Sequence, residues 1–480
     1  MIKNCGNAFV ELMKIRGKDV SEDEIQFINP ESLYQTPFRI GETVAEALGA
    51  RAVAANDIYE LRTGKRQKIE IDINAASATC LGGTDMTMRK NADGEYEPIP
   101  KSPEFSRMES ITQPWETKDG RWFLPHFNLP HLEKKVCDLL ECTPDPESVA
   151  EAVKKWDADK LDQAIADAHA TGGILYTEEE WLQHPQGKYL ASVPVVEITK
   201  IGDSAPEPLS DLAEGTQPLS GLKVLDLTRI LAGPTCGISL AEHGADVLMV
   251  TSPELPQVPA FVRDTSHGKR SCYLDYKIPE QAAKLRELAK DADVFVQGYR
   301  PGRMEANGFG AEDLAKLRPG IVYVSVDCFG SGGPLSDRAG WDQVAQAVTG
   351  MCFTQGDATN EGRPQLAPVF VCDFLTGFLG AYGAMLALAK RAKEGGSYHV
   401  HVSLCQSAML IQRQGLREDF AGAADSLTKE KFEQFAVCDD GTVYGDLKSL
   451  GPVIWMSETS PAWSRTTPEL GSGNPEWKPT

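Results

Sequence analysis

Residues 223–253 read KVLDLTRILAGPTCGISLAEHGADVLMVTSP, and this stretch decides the fold class. KVLDL is nearly continuous in apolar residues, the pattern of a strand covered by helices on both faces rather than one side of which meets water. LAGP then opens a helix, with Pro234 in the first turn, where its missing N–H costs nothing. DVLMV is a second buried strand, so the unit is βαβ with parallel strands. The same alternation continues through RSCYLDYK at 270–277, a helix from Pro279, ADVFVQGY at 292–299, a helix at 311–317 and GIVYVSVDCFG at 320–330. The expected fold is α/β, an open, largely parallel Rossmann-like sheet flanked by helices, with ligands at the carboxyl ends of the strands.

Upstream, residues 41–62 (GETVAEALGARAVAANDIYELR) have helical spacing, and KIEIDINAA at 68–76 passes from strand to helix. The same order recurs at 377–410, in GFLGAYGAMLALAKRAKEGG and YHVHVSLCQSAML. A single shift, that separating Gly49 from Gly380, also carries Ala50 to Ala381, Ile69 to Val400 and Ile71 to Val402. An internal repeat explains this; coincidence between two Ala-rich helices is the alternative. WETKDGRWFLPHF at 115–127 reads as two strands joined at a DG turn, and FAVCDDGTVYGDL at 435–447 plays a comparable part. Residues 131–185 have helical spacing with one charged face, and 200–220 mix Pro, Ser, Gly and acids like an exposed linker. The expected organisation is a reduced, degenerate repeat over 1–110, a small α+β domain over 111–205, a linker at 206–217 and the large domain over 218–480.

The 480 residues are 41% hydrophobic and 24% charged, as in globular proteins, and carry a net charge of −21. That balance, without a Lys/Arg stripe, argues against nucleic acid as a partner. Eleven cysteines without a CxxC pair fit reduced thiols, and no zinc motif is present. No uninterrupted run of about 18 apolar residues marks a membrane span, and the N-terminus lacks the apolar core of a signal peptide. Lys3, Lys14 and Arg16, with Glu11 the one acid before position 18, keep an amphipathic presequence open. The cytoplasm is the expected compartment, with mitochondria and peroxisomes left open.

The loop after KVLDL is not GxGxxG, so a nicotinamide-dependent dehydrogenase lacks its phosphate-binding glycines. GxSxG, HExxH and GxxxxGK[ST] are absent too, which removes the main support for hydrolase and kinase readings. His399 and His401 stand at strand spacing and are expected to be an exposed pair without a role; no metal site is assigned. Asp373 differs because it interrupts the apolar stretch APVFVCDFLTGFLGAYGAML at 367–386, where a carboxylate must be paired, capped or functional. An N-cap and a chemical role both fit its place at a helix start.

Taken in order, PLSGLKVLDLTRILAGP, HGADVLMV, GKRSCYLDYK, ADVFVQGYRPGRMEANGFG, IVYVSVDCFGSGGP and VFVCDFLTG resemble successive signatures of family III CoA transferases of the carnitine and bile-acid (CaiB-BaiF) type. The resemblance runs over 218–412. It implies an open α/β large domain, a small domain and often an interlocked homodimer, with acyl-CoA and a small carboxylic acid as substrates and no permanently bound cofactor. The family's nucleophilic aspartate falls on Asp373, which would carry mixed-anhydride and aspartyl-CoA intermediates. Its CoA contacts fall on Arg229, Ile230, Leu231, Leu274, Lys277, Gly298, Tyr299 and Arg300. Gly377 and the glycines of 330–333 could let backbone approach substrate, although turns explain them as well.

Four departures narrow this. Ala306 stands where relatives often carry a basic residue, and the glycine-rich loop of formyl-CoA transferases is not evident. Related acyl-CoA racemases place an acid/base histidine near the residue that aligns with Trp341, and an indole cannot exchange a proton that way. The small domain precedes the large-domain signature, and the repeat places Glu42 opposite Asp373, either as a vestige of a second site or as a helix-start acid. A racemase and a silent CoA-binding paralogue are the alternatives carried forward.

Overall fold

The computed structural model describes residues 5–31 and 33–478, so Lys3 lies outside the described residues. Seven strands form the main sheet: β1 (Glu197–Gly202), β2 (Lys223–Leu227), β3 (Asp246–Thr251), β4 (Arg270–Tyr273), β5 (Val294–Gln297), β6 (Val322–Asp327) and β7 (Ser397–Ser403). Their order is β4-β3-β2-β5-β6-β7-β1, parallel throughout except β1, which pairs antiparallel with β7. The helices that matter below are α1 (Ile40–Thr63), α2 (Pro103–Ile111), α3 (Ala232–Ala241), α4 (Pro259–Thr265), α5 (Asp342–Thr349) and α6 (Val371–Glu394). The apolar strands are buried on both faces: Val224, Val247, Val294 and Val324 face the main core, while Leu225, Leu248, Phe295 and Tyr323 face a second one. The α/β class is therefore as the sequence indicates. Chain order reverses at β2, which lies between β3 and β5, and this switch point is where the crevice of such a sheet opens.

The shift that relates Gly49 to Gly380 also relates α1 to α6, each 24 residues long. Arg39 and Phe370 precede them with nearly the same backbone angles, φ −81° and ψ 55° against φ −78° and ψ 56°. Gly64 and Gly395 end them. Past the strands that follow, Asp72 and Ser403 each cap a helix by accepting from the N–H three residues on. The two long helices pack against each other, and one continuous core joins Ala45, Val53 and Ile58 to Leu375, Leu379 and Met385.

Residues 115–174 build a three-stranded antiparallel sheet with helices over a separate small core that includes Phe123, Val136, Val149, Leu161 and Ile165. The DG turn of its hairpin is made with Gly120 at φ 78°. The hairpin at 436–450 joins Thr87–Lys90 and Tyr96–Pro98 in a four-stranded sheet.

The presumed linker at 200–220 begins as strand, because β1 runs to Gly202 along the edge of the main sheet. Beyond it the chain is pinned: the Arg62 guanidinium donates to the carbonyls of Ser210, Pro218 and Ser220. α6 is long and apolar enough to cross a membrane, with a mean hydropathy of 1.6 over its apolar window. Asp373, Thr376 and glycines punctuate it, so it contains no unbroken apolar run of about 18 residues. That window is entirely buried in the core, as the central helix of a folded domain would be. His399 and His401 are not an exposed pair: the His401 ring bonds Asp327, whose carboxylate raises the imidazole pKa against burial, and burial holds His399 down at about 4.

Candidate active site

The crevice at the switch point is a cavity of about 150 Å³ lined by Thr228, Arg229, Ile230, Leu231, Gly298, Tyr299, Gly340, Trp341 and Asp373, among others. Helix starts supply much of its wall: Leu231, Ala232 and Gly233 at α3, Trp341 ahead of α5, and Asp373 in the first turn of α6. N–H groups in a first helical turn have no intrahelical acceptor and carry partial positive charge, so this arrangement favours an anion or a developing oxyanion.

Asp373 is not an N-cap. Phe370 holds that place and Asp373 is the third residue of the helix. Its main-chain N–H donates to Oδ2 of Asp342 at 3.0 Å, whereas its own carboxylate has no hydrogen-bond or ion-pair partner among the described residues. A buried carboxylate, 8% exposed, that faces a cavity without a partner among the described residues is a candidate functional group. Burial, and secondarily the Asp342 charge, push its pKa well above the ordinary value.

Asp342 went unnoticed in the sequence, where RAGWDQ reads as an unremarkable helix start. It is fully buried, accepts the Asp373 N–H, and takes a bond from Nε2 of Gln346 at 2.5 Å. Burial raises its pKa to about 7 although these donors oppose the rise. A carboxyl that holds its proton more tightly folded than unfolded contributes stability at low pH, and this is lost as the pH climbs from about 4 through about 7. Asp342→Asn should therefore flatten the pH dependence of unfolding. The fall in stability from pH 5 to pH 8, measured by urea titration, should shrink by roughly 2–4 kcal/mol, whatever the variant's absolute stability.

The loop after β2 is held from below by a buried ion pair. Lys269 Nζ lies 2.8 Å from Oδ2 of Asp226 and 2.8 Å from the Pro234 carbonyl, with both charged side chains 0% exposed. Asp226 also accepts the Thr228 N–H at 3.0 Å and the Thr228 hydroxyl. The pair passes so close to α3 that a Cβ on Gly237 would sit 2.3 Å from Asp226 Oδ2. Above this anchor Ile230 adopts φ 73°, a left-handed conformation costly for a β-branched residue and found where surrounding structure enforces it.

Of the sequence-derived contacts, Arg229, Ile230, Leu231, Gly298 and Tyr299 line the cavity with Asp373. Arg229 also donates to the Pro256 carbonyl at 3.1 Å. Leu274 is buried in the second core, Lys277 is exposed, and Arg300 donates to the His169 carbonyl at 3.0 Å; these three do not line it. Gly377 does not bring backbone toward substrate, since a Cβ there would meet the Ala232 carbonyl at 2.5 Å, which makes it the close contact between α6 and α3. Gly330, Gly332 and Gly333 pack on Leu190, Tyr189 and Gln186. Trp341 stacks on His126 at 5.0 Å, and burial lowers that imidazole to about 4. Glu42 lies in the first turn of α1, 3.3 Å from Arg39, in keeping with a helix-start acid.

The fold and site define an α/β protein with a buried carboxylate facing a cavity at the switch point of a parallel sheet. Residues 219–437 match the model of CoA-transferase family III. An acetyl-coenzyme A transferase of Hypoxylon pulicicidum is 31% identical over 405 residues, which cover 76% of this chain and 68% of that one. An acyl-CoA transferase of Gibberella moniliformis is 31% identical over 460 residues, 83% of this chain and 80% of that one. A human succinyl-CoA:glutarate CoA-transferase is 38% identical over 213 residues, 42% and 48% of the two chains. The chain belongs to family III of the CoA transferases, enzymes that act on CoA thioesters.

Proposed function

We propose that the chain moves CoA from an acyl-CoA to a free carboxylic acid through covalent intermediates on Asp373. The observation that carries this is the Asp373 carboxylate, buried, facing the switch-point cavity and without a hydrogen-bond or ion-pair partner among the described residues. In the first step a carboxylate oxygen attacks the thioester carbonyl, and collapse of the tetrahedral adduct expels CoA thiolate and leaves a mixed anhydride. The thiolate then attacks the Asp373 carbonyl of the anhydride, releasing the donor as a carboxylate and leaving an aspartyl-CoA thioester. The acceptor carboxylate repeats both steps in reverse order, and Asp373 returns as a carboxylate. The whole cycle trades one CoA thioester for another and is therefore nearly balanced, and the carboxylate divides it into separate acyl transfers in which each intermediate stays activated. The free N–H groups at the starts of α3 and α5 are the candidate donors to the oxyanions.

Asp342 would fix the first turn of α6 through the Asp373 N–H and so set the direction of attack. Arg229, Ile230, Leu231, Gly298 and Tyr299 would hold the part of CoA nearest the thioester. Leu274, Lys277 and Arg300 would meet the remainder, the two cations being phosphate partners. A homodimer in the cytoplasm is the proposed state, read by sedimentation as twice the 52.3 kDa of one chain. The first 110 residues are taken as a reduced copy of the large domain, on the strength of the matched ends of α1 and α6.

The test is chemical. Incubation with an acyl-CoA, followed by borohydride, should reduce an aspartyl thioester at position 373 to homoserine. A racemase would instead exchange the α-hydrogen of a branched acyl-CoA with solvent and leave Asp373 unmodified.

A further inference from the structure

Asp327 ends β6 and lines the Asp373 cavity together with Cys328, Gly340 and Trp341. It is the other carboxylate of that wall, and Arg229, the cation of the same wall, is turned to the Pro256 carbonyl. Left uncompensated, Asp327 would repel the anions that such a crevice has to admit, a CoA thiolate and a carboxylate.

His401, on the adjoining β7, supplies the compensation. Its Nε2 lies 2.5 Å from Oδ2 of Asp327, and with side chains 13% and 11% exposed the two are little screened by solvent. The other carboxylate oxygen, Oδ1, accepts the Gly330 N–H at 2.7 Å, so the pair also fixes the turn leading from β6 toward Gly340 and Trp341. Ser331 in that turn donates to Glu197 at 2.7 Å, and β1 sets Glu197 directly opposite His401. Burial works against a charge on His401, but Asp327 and Glu197 outweigh it and raise the imidazole pKa. On β7 itself the neighbour is His399, which pairs with the Ser325 hydroxyl at 2.8 Å and which burial holds down at about 4. The helix Ala311–Leu317 packs on β7 and β1, with Glu312 and Lys316 exposed and Asp313 accepting the Gly310 N–H. Among the described residues no cation but His401 is paired with Asp327.

We propose that His401 is a positioning residue for CoA transfer: protonated, it cancels the Asp327 charge in the Asp373 cavity and holds the turn that carries Gly340 and Trp341 into the cavity wall. The inference rests on the transfer reaction proposed above and adds the condition under which its site admits an anion. The dependence on pH runs one way. His401 loses its proton as the pH climbs through a pKa above the ordinary imidazole value of about 6.5, and Asp327 is then left uncancelled.

Exchange of labelled CoA into acetyl-CoA needs no acceptor and serves as the assay. Its kcat/KM should fall on the alkaline side of the profile through a single ionisation, by about tenfold or more. His401→Gln keeps a donor for Asp327 but no charge; it should be about 10–100-fold slower at pH 7 and lack that ionisation. The double variant D327N/H401Q removes both charges and leaves an oxygen for the Gly330 N–H. It should recover most of the rate and stay flat over the same range. An alkaline ionisation unchanged in H401Q, or a double variant no faster than H401Q, would overturn the inference, since a residue needed only for packing gives that result. CoA affinity at pH 7, read by titration calorimetry, makes the same comparison without turnover: about tenfold weaker in H401Q and restored in the double variant. Equal affinity in wild type and H401Q would overturn the inference as well. The expected binding pattern with no exchange at any pH would uphold the pair and count against the transfer reaction instead.

Discussion

Asp373→Asn should lower CoA transfer by at least about 10³-fold while leaving the fold intact. Asparagine has nearly the same shape but an amide cannot attack a thioester under these conditions, so the covalent route closes. Stability should move the other way. Asp373 is buried beside Asp342 and burial raises its pKa well above the usual range, so the folded chain resists charging it. Neutralising it removes that resistance, and the variant should unfold at a higher urea concentration than the wild type above pH 7. An acid retained only for structure predicts the opposite pair of results, activity largely kept and stability reduced. The two readings are thus separated by measuring initial rates and urea midpoints on the same preparation.

The largest stability effect should come from Lys269→Met. Removing the ammonium strands Asp226 in a site where both side chains are 0% exposed, and breaking such a pair costs about 3–5 kcal/mol. Asp226 also fixes Thr228 at the base of the Arg229–Ile230 turn, so the loop that lines the Asp373 cavity should lose its left-handed conformation and transfer should fall with it. The double variant Asp226→Asn with Lys269→Met removes both charges and should recover much of the lost stability. Recovery measured by denaturant midpoint would show that the cost lay in the unpaired charge; equal losses in single and double variants would place it in packing alone.

Features carried by local pattern were legible in the sequence. Continuous apolar runs such as KVLDL and DVLMV announce buried parallel strands, and Asp373 stands out because an acid inside VFVCDFL has no local excuse. Features that depend on what distant segments bring were not. Lys269 in HGKRS looks like an ordinary surface cation until the fold places Asp226 against it. Asp342 becomes notable only when α6 turns its first N–H groups toward it. His401 was misjudged for the same reason, its partner Asp327 lying on the neighbouring strand. The shared shift of α1 and α6 was visible in glycine and alanine spacing, but their equal lengths and matching ends belong to backbone geometry.

CoA transfer by the proposed route requires a covalent bond at one carboxylate. Wild-type enzyme incubated with acetyl-CoA without acceptor, reduced with borohydride, digested and fragmented by mass spectrometry should show homoserine at position 373, dependent on acetyl-CoA and absent without reduction. Brisk CoA exchange with Asp373 unmodified, or with the reduced or acylated residue mapped elsewhere, such as to the adjoining Cys372, would contradict it.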